Sequence, residues 1–212
     1  MLQSYKKYKR ISSVKATVIL LIVAALAILV TWGVWSLWDF VADPIEHEES
    51  FDAIIEKAAR RNNLPPELVR AVIWRESKFN RHTIGKDGEV GLMQIRPETA
   101  VIDWAKYKKR HVPSKGALMD PELNIEIGSW YLGRAMRYWA GYKDQIALAL
   151  CEYNAGRKRA LEWKPKDKNG EVIGNIAYKS TREYVGDILR KYNDYRSETA
   201  KKREDAAKNK KK

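Results

Sequence analysis

Glu76 lies in the run AVIWRESKFN, where Val69, Val72, Ile73 and Glu76 follow one another at separations of three, one and three. On a helix that spacing sets the carboxyl group along the same stripe as the aliphatic side chains, toward the interior. Burial favours the neutral form of a carboxyl group, and a place in the last turn, at the negative end of the helix dipole, acts in the same direction. A carboxylic acid that keeps its proton near pH 7 can give it to a leaving oxygen, which is general acid chemistry. The competing reading turns Glu76 outward into an ion pair with Arg70, Arg75 or Arg81. Spacing by itself favours that ordinary helix-end pair.

The elements that would position Glu76 read as helices throughout, without the period-2 alternation that strands require, so the fold class is all-α. Ser50 is a plausible N-cap for a first helix carrying Phe51, Ile54, Ile55, Ala58 and Ala59 and ending at Asn62 and Asn63. Pro65 and Pro66 suit the first turn of a second helix, with Leu68, Val69, Val72 and Ile73 on one face and an end near Ser77. Asn80 to Gly91 is polar, holds Gly85, Gly88 and Gly91, and reads as a loop. Further helices open at Pro97, at Asp120 and Pro121, and at Asp144; the second of these carries Ile125, Ile127, Trp130, Tyr131 and Leu132. Lys164 to Gly174 is loop-like, and Thr181 to Tyr195 forms the last helix. Arg196 to Lys212 is highly charged and poor in apolar residues, which predicts a disordered tail.

The formal net charge of +13 is concentrated at the two ends: five basic and no acidic side chains in residues 1–15, eight basic and three acidic in 196–212. The remainder is near neutral and lacks the basic stripe of a nucleic-acid-reading domain, so no nucleic-acid partner is expected. The single cysteine, Cys151, excludes an intramolecular disulfide, and His47, His82 and His111 are scattered without metal-ligand spacing. Neither a metal nor another cofactor is expected. Residues 16–38 hold no charge, are aliphatic at their centre, and finish with Trp32, Trp35 and Trp38. That length suits a transmembrane helix of about 30 to 35 Å, with the basic 1–15 segment kept in the cytoplasm and the aromatic belt at the outer face. A cleaved signal peptide would have a shorter apolar core and a small-residue cleavage site, and a buried core helix would not carry these flanks. The expected order is a basic cytoplasmic segment (1–15), a single transmembrane helix (16–38), a linker (39–49), a helical domain (50–195) and a charged tail (196–212).

The ordered set RESKFN, GLMQI, NIEIGSWYL, EYNAG and TREYV resembles the soluble-type lytic transglycosylases over roughly residues 50–190. The resemblance implies a lysozyme-like helical domain acting on peptidoglycan glycan strands, with Glu76 as the sole catalytic acid and base. It implies that Met93 and Gln94 shape the glycan groove, that Tyr153 and Asn154 bind near the scissile bond, that Tyr184 packs close to the glutamate, and that Ser77, beside Glu76, belongs to the same binding set. Amides, hydroxyls and aromatic faces are what a sugar groove needs. Without the resemblance, Met93 and Tyr131 read as core, and Asn154-Ala155-Gly156 as a helix end.

In this family the glutamate protonates the glycosidic oxygen and then, as carboxylate, assists the muramoyl C6 hydroxyl, so a 1,6-anhydro end forms without water. Two-carboxylate hydrolysis needs a second acid. Asp87 and Glu89 read as solvated loop charges, and Glu152 stands where the family usually has a small residue. Two further departures are Gly85, where a serine is usual, leaving Thr83 as a substitute donor to the carboxyl group, and Ser180, where a glutamate is usual. Localisation at the inner membrane with the domain facing periplasm or cell wall follows, with cell-wall or secretion machinery as candidate partners. The alternatives are a goose-type lysozyme hydrolysing the same bond and a non-catalytic peptidoglycan-binding assembly module.

Overall fold

The computed structural model describes residues 21–31, Gly33, Glu48 and 50–209, and its two compact units meet between Glu46 and His47. In the first unit residues 21–31 are helical (α1), with Leu21, Ile22, Val23, Leu26, Ile28, Leu29 and Val30 exposed. Among the described residues no helix is long and apolar enough to cross a membrane. Apart from Gly33, the remainder of the expected 16–38 span, and the basic 1–15 segment, lie outside the described residues.

The second unit is helical, and among its described residues the only β pairing is a set of isolated bridges, Ile84 to Val90 and Val90 to Ile95. Its helices are α2 (Asp52–Asn62), α3 (Pro66–Ser77), α4 (Ile102–Lys108), α5 (Pro121–Tyr138), α6 (Gln145–Ala155), α7 (Arg157–Trp163) and α8 (Lys179–Asn209). The core is built around α5, whose Ile125, Ile127 and Leu132 are fully enclosed, with α2 and α6 packed against it and α8 against α3 and α6. Asp120 caps α5 as its sequence suggests, its carboxylate accepting the Leu123 N–H at 2.9 Å.

α3 ends where the apolar stripe ends. Lys78 takes a left-handed conformation (φ 52°) and Phe79 follows at φ 64°. Such a conformation costs a non-glycine residue roughly 1–2 kcal/mol, and burial of Phe79, stacked on Phe51 with ring centroids 6.5 Å apart, offsets it. The chain therefore leaves the helix immediately after Glu76 and Ser77 and runs into the loop 80–95.

Four expectations are corrected. Ser50 is not the N-cap of α2: Glu48 and Ser50 are already helical and Phe51 holds that position. The 39–49 linker is too long by at least Glu48, which accepts the Tyr195 hydroxyl at 2.5 Å and approaches Arg70 at 3.3 Å; residues 39–47 and Glu49 lie outside the described residues. At Pro97 the chain first makes one π turn, Pro97–Val101, before α4 begins. The tail is helical, not disordered, as far as Asn209: the run of Ala, Glu, Lys and Arg after Tyr195 holds no Gly or Pro to stop α8, so propensity carries it on without a buried face. Residues 210–212 lie outside the described residues.

Candidate active site

Glu76 sits partly buried at a groove of about 890 Å³ whose lining includes Arg75, Glu89, Gln94, Tyr131, Tyr153 and Asn154. The groove is walled by the end of α3, the loop 85–96, α5 and the end of α6. Tyr184, buried on α8, donates its hydroxyl to Glu76 Oε1 at 2.6 Å. Burial raises the Glu76 pKa to about 7; the Tyr184 hydrogen bond and the Arg75 charge pull it down, and the charge of Glu89 pushes it up. Arg75 does not close an ion pair with Glu76. It binds Asp187 on α8 instead, Nε to Oδ2 at 3.1 Å, with its guanidinium 5.6 Å from the Tyr184 ring centre. The outward ion-pair reading of Glu76 is thereby set aside: among the described residues its one hydrogen-bonding neighbour is a phenol, and a neutral donor leaves the carboxyl group able to keep its proton.

The loop carrying GLMQ is held from below by Asn124, a buried amide on α5. Its Oδ1 accepts the Met93 N–H at 2.8 Å, and its Nδ2 donates to Val90 O at 2.9 Å and Leu118 O at 2.7 Å. Gly91 (φ +80°) lies so close to Asn124 that a Cβ there would overlap the amide. Met93 is fully enclosed beneath the groove. Its contribution on the groove side is its carbonyl, which accepts the Tyr153 hydroxyl at 2.8 Å. Gln94 lines the groove, with Nε2 donating to the carbonyls of Thr83 and Gly91 at 3.0 and 2.9 Å. Tyr153 meets Tyr131 edge to face at 5.8 Å, and Arg134 covers Tyr131 at 4.5 Å. Asn154 is exposed, and its Oδ1 accepts the Thr181 hydroxyl at 2.9 Å, so the EYNAG and TREYV motifs meet. Burial, then the nearby Glu76 charge, keeps the Tyr153 phenol protonated well beyond its usual range.

Thus Glu76, Gln94, Tyr153, Asn154 and Tyr184 are brought together. Ser77 is not on the groove: it is buried, with its hydroxyl directed at Leu92 O (2.8 Å) and Ile73 O (3.2 Å), tying the end of α3 to the GLMQ loop. Thr83 does not substitute for the absent serine, since its hydroxyl donates to Asn80 O at 2.9 Å. Glu152 is buried with both oxygens engaged, Oε2 by Trp139 Nε1 at 2.9 Å and Oε1 by Arg157 at 2.7 and 3.0 Å. Ser180 is exposed on the first turn of α8.

Glu89 is not the solvated loop charge its sequence context suggests. Its side chain is only 19% exposed, and Arg96 holds Oε1 through two N–H groups at 3.0 and 2.7 Å. Burial opposes its charge, but its own backbone amide, Arg96 and the Asp87 N–H together outweigh that and lower its pKa. Asp87 also reaches Arg96, at 3.0 Å, but is largely exposed. Asn124 is a residue that sequence reasoning passed over, and Glu89 one that it misread. A polar side chain on the otherwise apolar face of α5 was the one available signal for the first.

The family model described as Transglycosylase SLT domain matches residues 53–174, a stretch that ends before α8 and Tyr184. Membrane-bound lytic murein transglycosylase C of Yersinia pestis (strain Pestoides F) is 32% identical over 124 residues, covering 56% of this chain and 35% of that protein. The chain therefore spans about a third of the length of the curated relatives it matches. Among solved structures, the lytic transglycosylase Slt of Pseudomonas aeruginosa is similar with a TM-score of 0.62 at 25% identity, over 70% of this chain and 24% of that one. The 70 kDa soluble lytic transglycosylase of Escherichia coli gives the same TM-score, 0.62, at 26% identity, over 70% of this chain and 24% of its own.

Proposed function

Because this chain belongs to the SLT transglycosylase domain family, we propose that it cleaves the β-1,4 bond between N-acetylmuramic acid and N-acetylglucosamine in peptidoglycan, leaving 1,6-anhydromuramoyl ends. The observation that carries the reading is the Glu76 carboxyl group, partly buried on the groove and bonded by Tyr184, where burial raises its pKa to about 7. In the first step its proton goes to the glycosidic oxygen as the bond to the muramoyl C1 breaks. In the second the carboxylate takes the proton of the C6 hydroxyl as O6 bonds to C1, and Glu76 is again an acid. No water enters. The internal nucleophile is held by the sugar ring itself, so proximity replaces a second activating group.

Tyr184 orients the Glu76 carboxyl group and hydrogen-bonds its anionic form between the two steps. Gln94, Tyr153 and Asn154 offer the strand amide and phenol groups along the groove. Met93 acts from beneath, through its carbonyl and its packing under the groove floor. Hydrolysis by a goose-type lysozyme draws on one observation, further carboxylates in the same groove, of which Asp87 is largely exposed, Glu152 has both oxygens engaged, and Glu89 is the remaining candidate. Its low pKa and its double hydrogen bond to Arg96 make it a poor base for water, which favours the transglycosylase.

The aliphatic run around residues 21–31 and the name of the Yersinia relative support a single-pass anchor over residues 16–38, with the helical domain facing the periplasm or wall. The lysine-rich end of α8 then lies where anionic wall or lipid groups are within reach. Glu76→Gln tests the function: strand cleavage is lost while binding to intact sacculi is kept, and unaltered cleavage would refute the assignment.

A further inference from the structure

Arg75 lines the groove together with Glu76, its side chain 36% exposed, and its guanidinium is anchored by Nε alone. Nε donates to Asp187 Oδ2 at 3.1 Å, whereas among the described residues Nη1 and Nη2 have no hydrogen-bond partner. Asp187 does not neutralise Arg75 by itself. Its other oxygen accepts from Arg190 at 2.5 Å, so two arginines share one carboxylate and one positive charge is left in excess. Lys78 reports that excess: burial lowers its pKa and the Arg75 charge lowers it further, against the pull of Asp187. The remaining charges of the groove lining are engaged or unfixed. Arg96 is held by Asp87 and Glu89, and Glu152 by Arg157. Lys86 is exposed on the loop and makes no ion pair among the described residues, but an ammonium on a flexible stem has no set direction. Arg75 is the cation of this lining that is both fixed in place and supplied with free donors.

We infer that Nη1 and Nη2 of Arg75 bind a carboxylate carried by the substrate strand, which makes Arg75 a specificity-determining residue on the muramoyl side of the cut bond. The inference rests on the function proposed above, since it needs a peptidoglycan strand in the groove. The sugar rings of such a strand are uncharged. Its anions hang from the lactyl ether of the muramoyl ring: the lactyl carboxylate itself where the peptide has been removed, or the carboxylates of the peptide where it remains. A guanidinium held through Nε presents its two terminal nitrogens as a planar fork, and a carboxylate meets that fork with two parallel N–H···O bonds. Arg75 precedes Glu76 at the end of α3, so an anion held there belongs to a group near the bond that Glu76 protonates. The muramoyl ring fits, because its C1 is at that bond. Asp187 and the Tyr184 ring, whose centre is 5.6 Å from the guanidinium, set the fork before substrate arrives.

The test uses the full chain carrying Glu76→Gln, which cannot turn over, titrated calorimetrically with three ligands. An oligomer of N-acetylglucosamine has no carboxylate, peptide-free glycan strands expose the lactyl carboxylate, and a third sample keeps its peptides. Adding Arg75→Gln is expected to weaken binding of a carboxylate-bearing strand about tenfold more than binding of the oligomer, the loss of charge-assisted hydrogen bonds. An excess loss already present on peptide-free strands assigns the fork to the lactyl carboxylate; one confined to peptide-bearing strands assigns it to the peptide. Arg75→Lys keeps a cation beside Asp187 but not the fork, and should recover only part of the loss. Losses equal on all three ligands, no loss on any, or full recovery by lysine would overturn the inference and leave the proposed function standing. A parent that binds none of the three overturns the function and the inference with it.

Discussion

Replacing Glu76 by Gln has a consequence for folding that can be separated from its effect on turnover. In the folded chain burial raises the carboxyl pKa to about 7, against 4.5 when it is free in the unfolded chain. Between these two values the native state holds a proton that the unfolded state has released, so the stability contributed by this group falls as pH rises through the window and that contribution is gone above it. The gap, at roughly 1.4 kcal/mol per pH unit, is worth about 3 kcal/mol. Glutamine has no such titration and nearly the shape of the protonated acid. The difference in unfolding free energy, variant minus parent, is therefore expected to move by about 3 kcal/mol in favour of Glu76→Gln between pH 4 and pH 8. Urea unfolding of both proteins at a series of pH values, followed by tryptophan fluorescence, gives that difference directly. Contributions of all other groups cancel in it. A difference that stays flat across the series would show that Glu76 titrates as an ordinary exposed carboxylate, and the general-acid argument would fail.

Tyr184→Phe removes a hydrogen bond that favours the anion, so the Glu76 pKa rises further and the alkaline limb of the rate profile moves to higher pH, with a lower maximal rate; a limb that stays in place contradicts the 2.6 Å contact as a determinant of that pKa. Ser77→Ala leaves the buried Leu92 carbonyl without its hydroxyl donor and should cost about 1–2 kcal/mol in denaturant while the folded fraction keeps its KM, because the hydroxyl faces the GLMQ loop and not the groove; a large rise in KM with unchanged stability would place Ser77 on the substrate instead.

Helical periodicity is local and sets Glu76 on the stripe of Val69, Val72 and Ile73, and the helix does end at Ser77, but spacing by itself favoured an outward ion pair, and the choice of the buried placement came from the resemblance. Tyr184 was legible only through the resemblance, since its partner lies 108 residues earlier and no pattern of spacing reports such a pair. Separation along the chain also hid Asn124, two of whose three side-chain hydrogen bonds hold a loop some thirty residues before it. Glu89 was misread for a related reason. A charge in a polar, glycine-rich loop is usually solvated, and what takes it out of water here is Arg96 across a turn together with the room left by Gly85. Ser77 shows the opposite failure: its neighbour in sequence is the catalytic candidate, yet one residue along a helix turns the side chain by about 100° and directs it into the core. The tail after Tyr195 was judged by its lack of apolar residues, which correctly excludes a buried face, whereas helix propensity alone continues α8 in the structure.

If a single carboxyl group cuts the strand without water, the products of that cut record it. Purified chain incubated with intact sacculi and analysed by mass spectrometry should yield muropeptides ending in 1,6-anhydromuramic acid, absent when Glu76→Gln replaces the parent. Reducing ends carrying the elements of water in their place would contradict the account and assign the groove to a hydrolase.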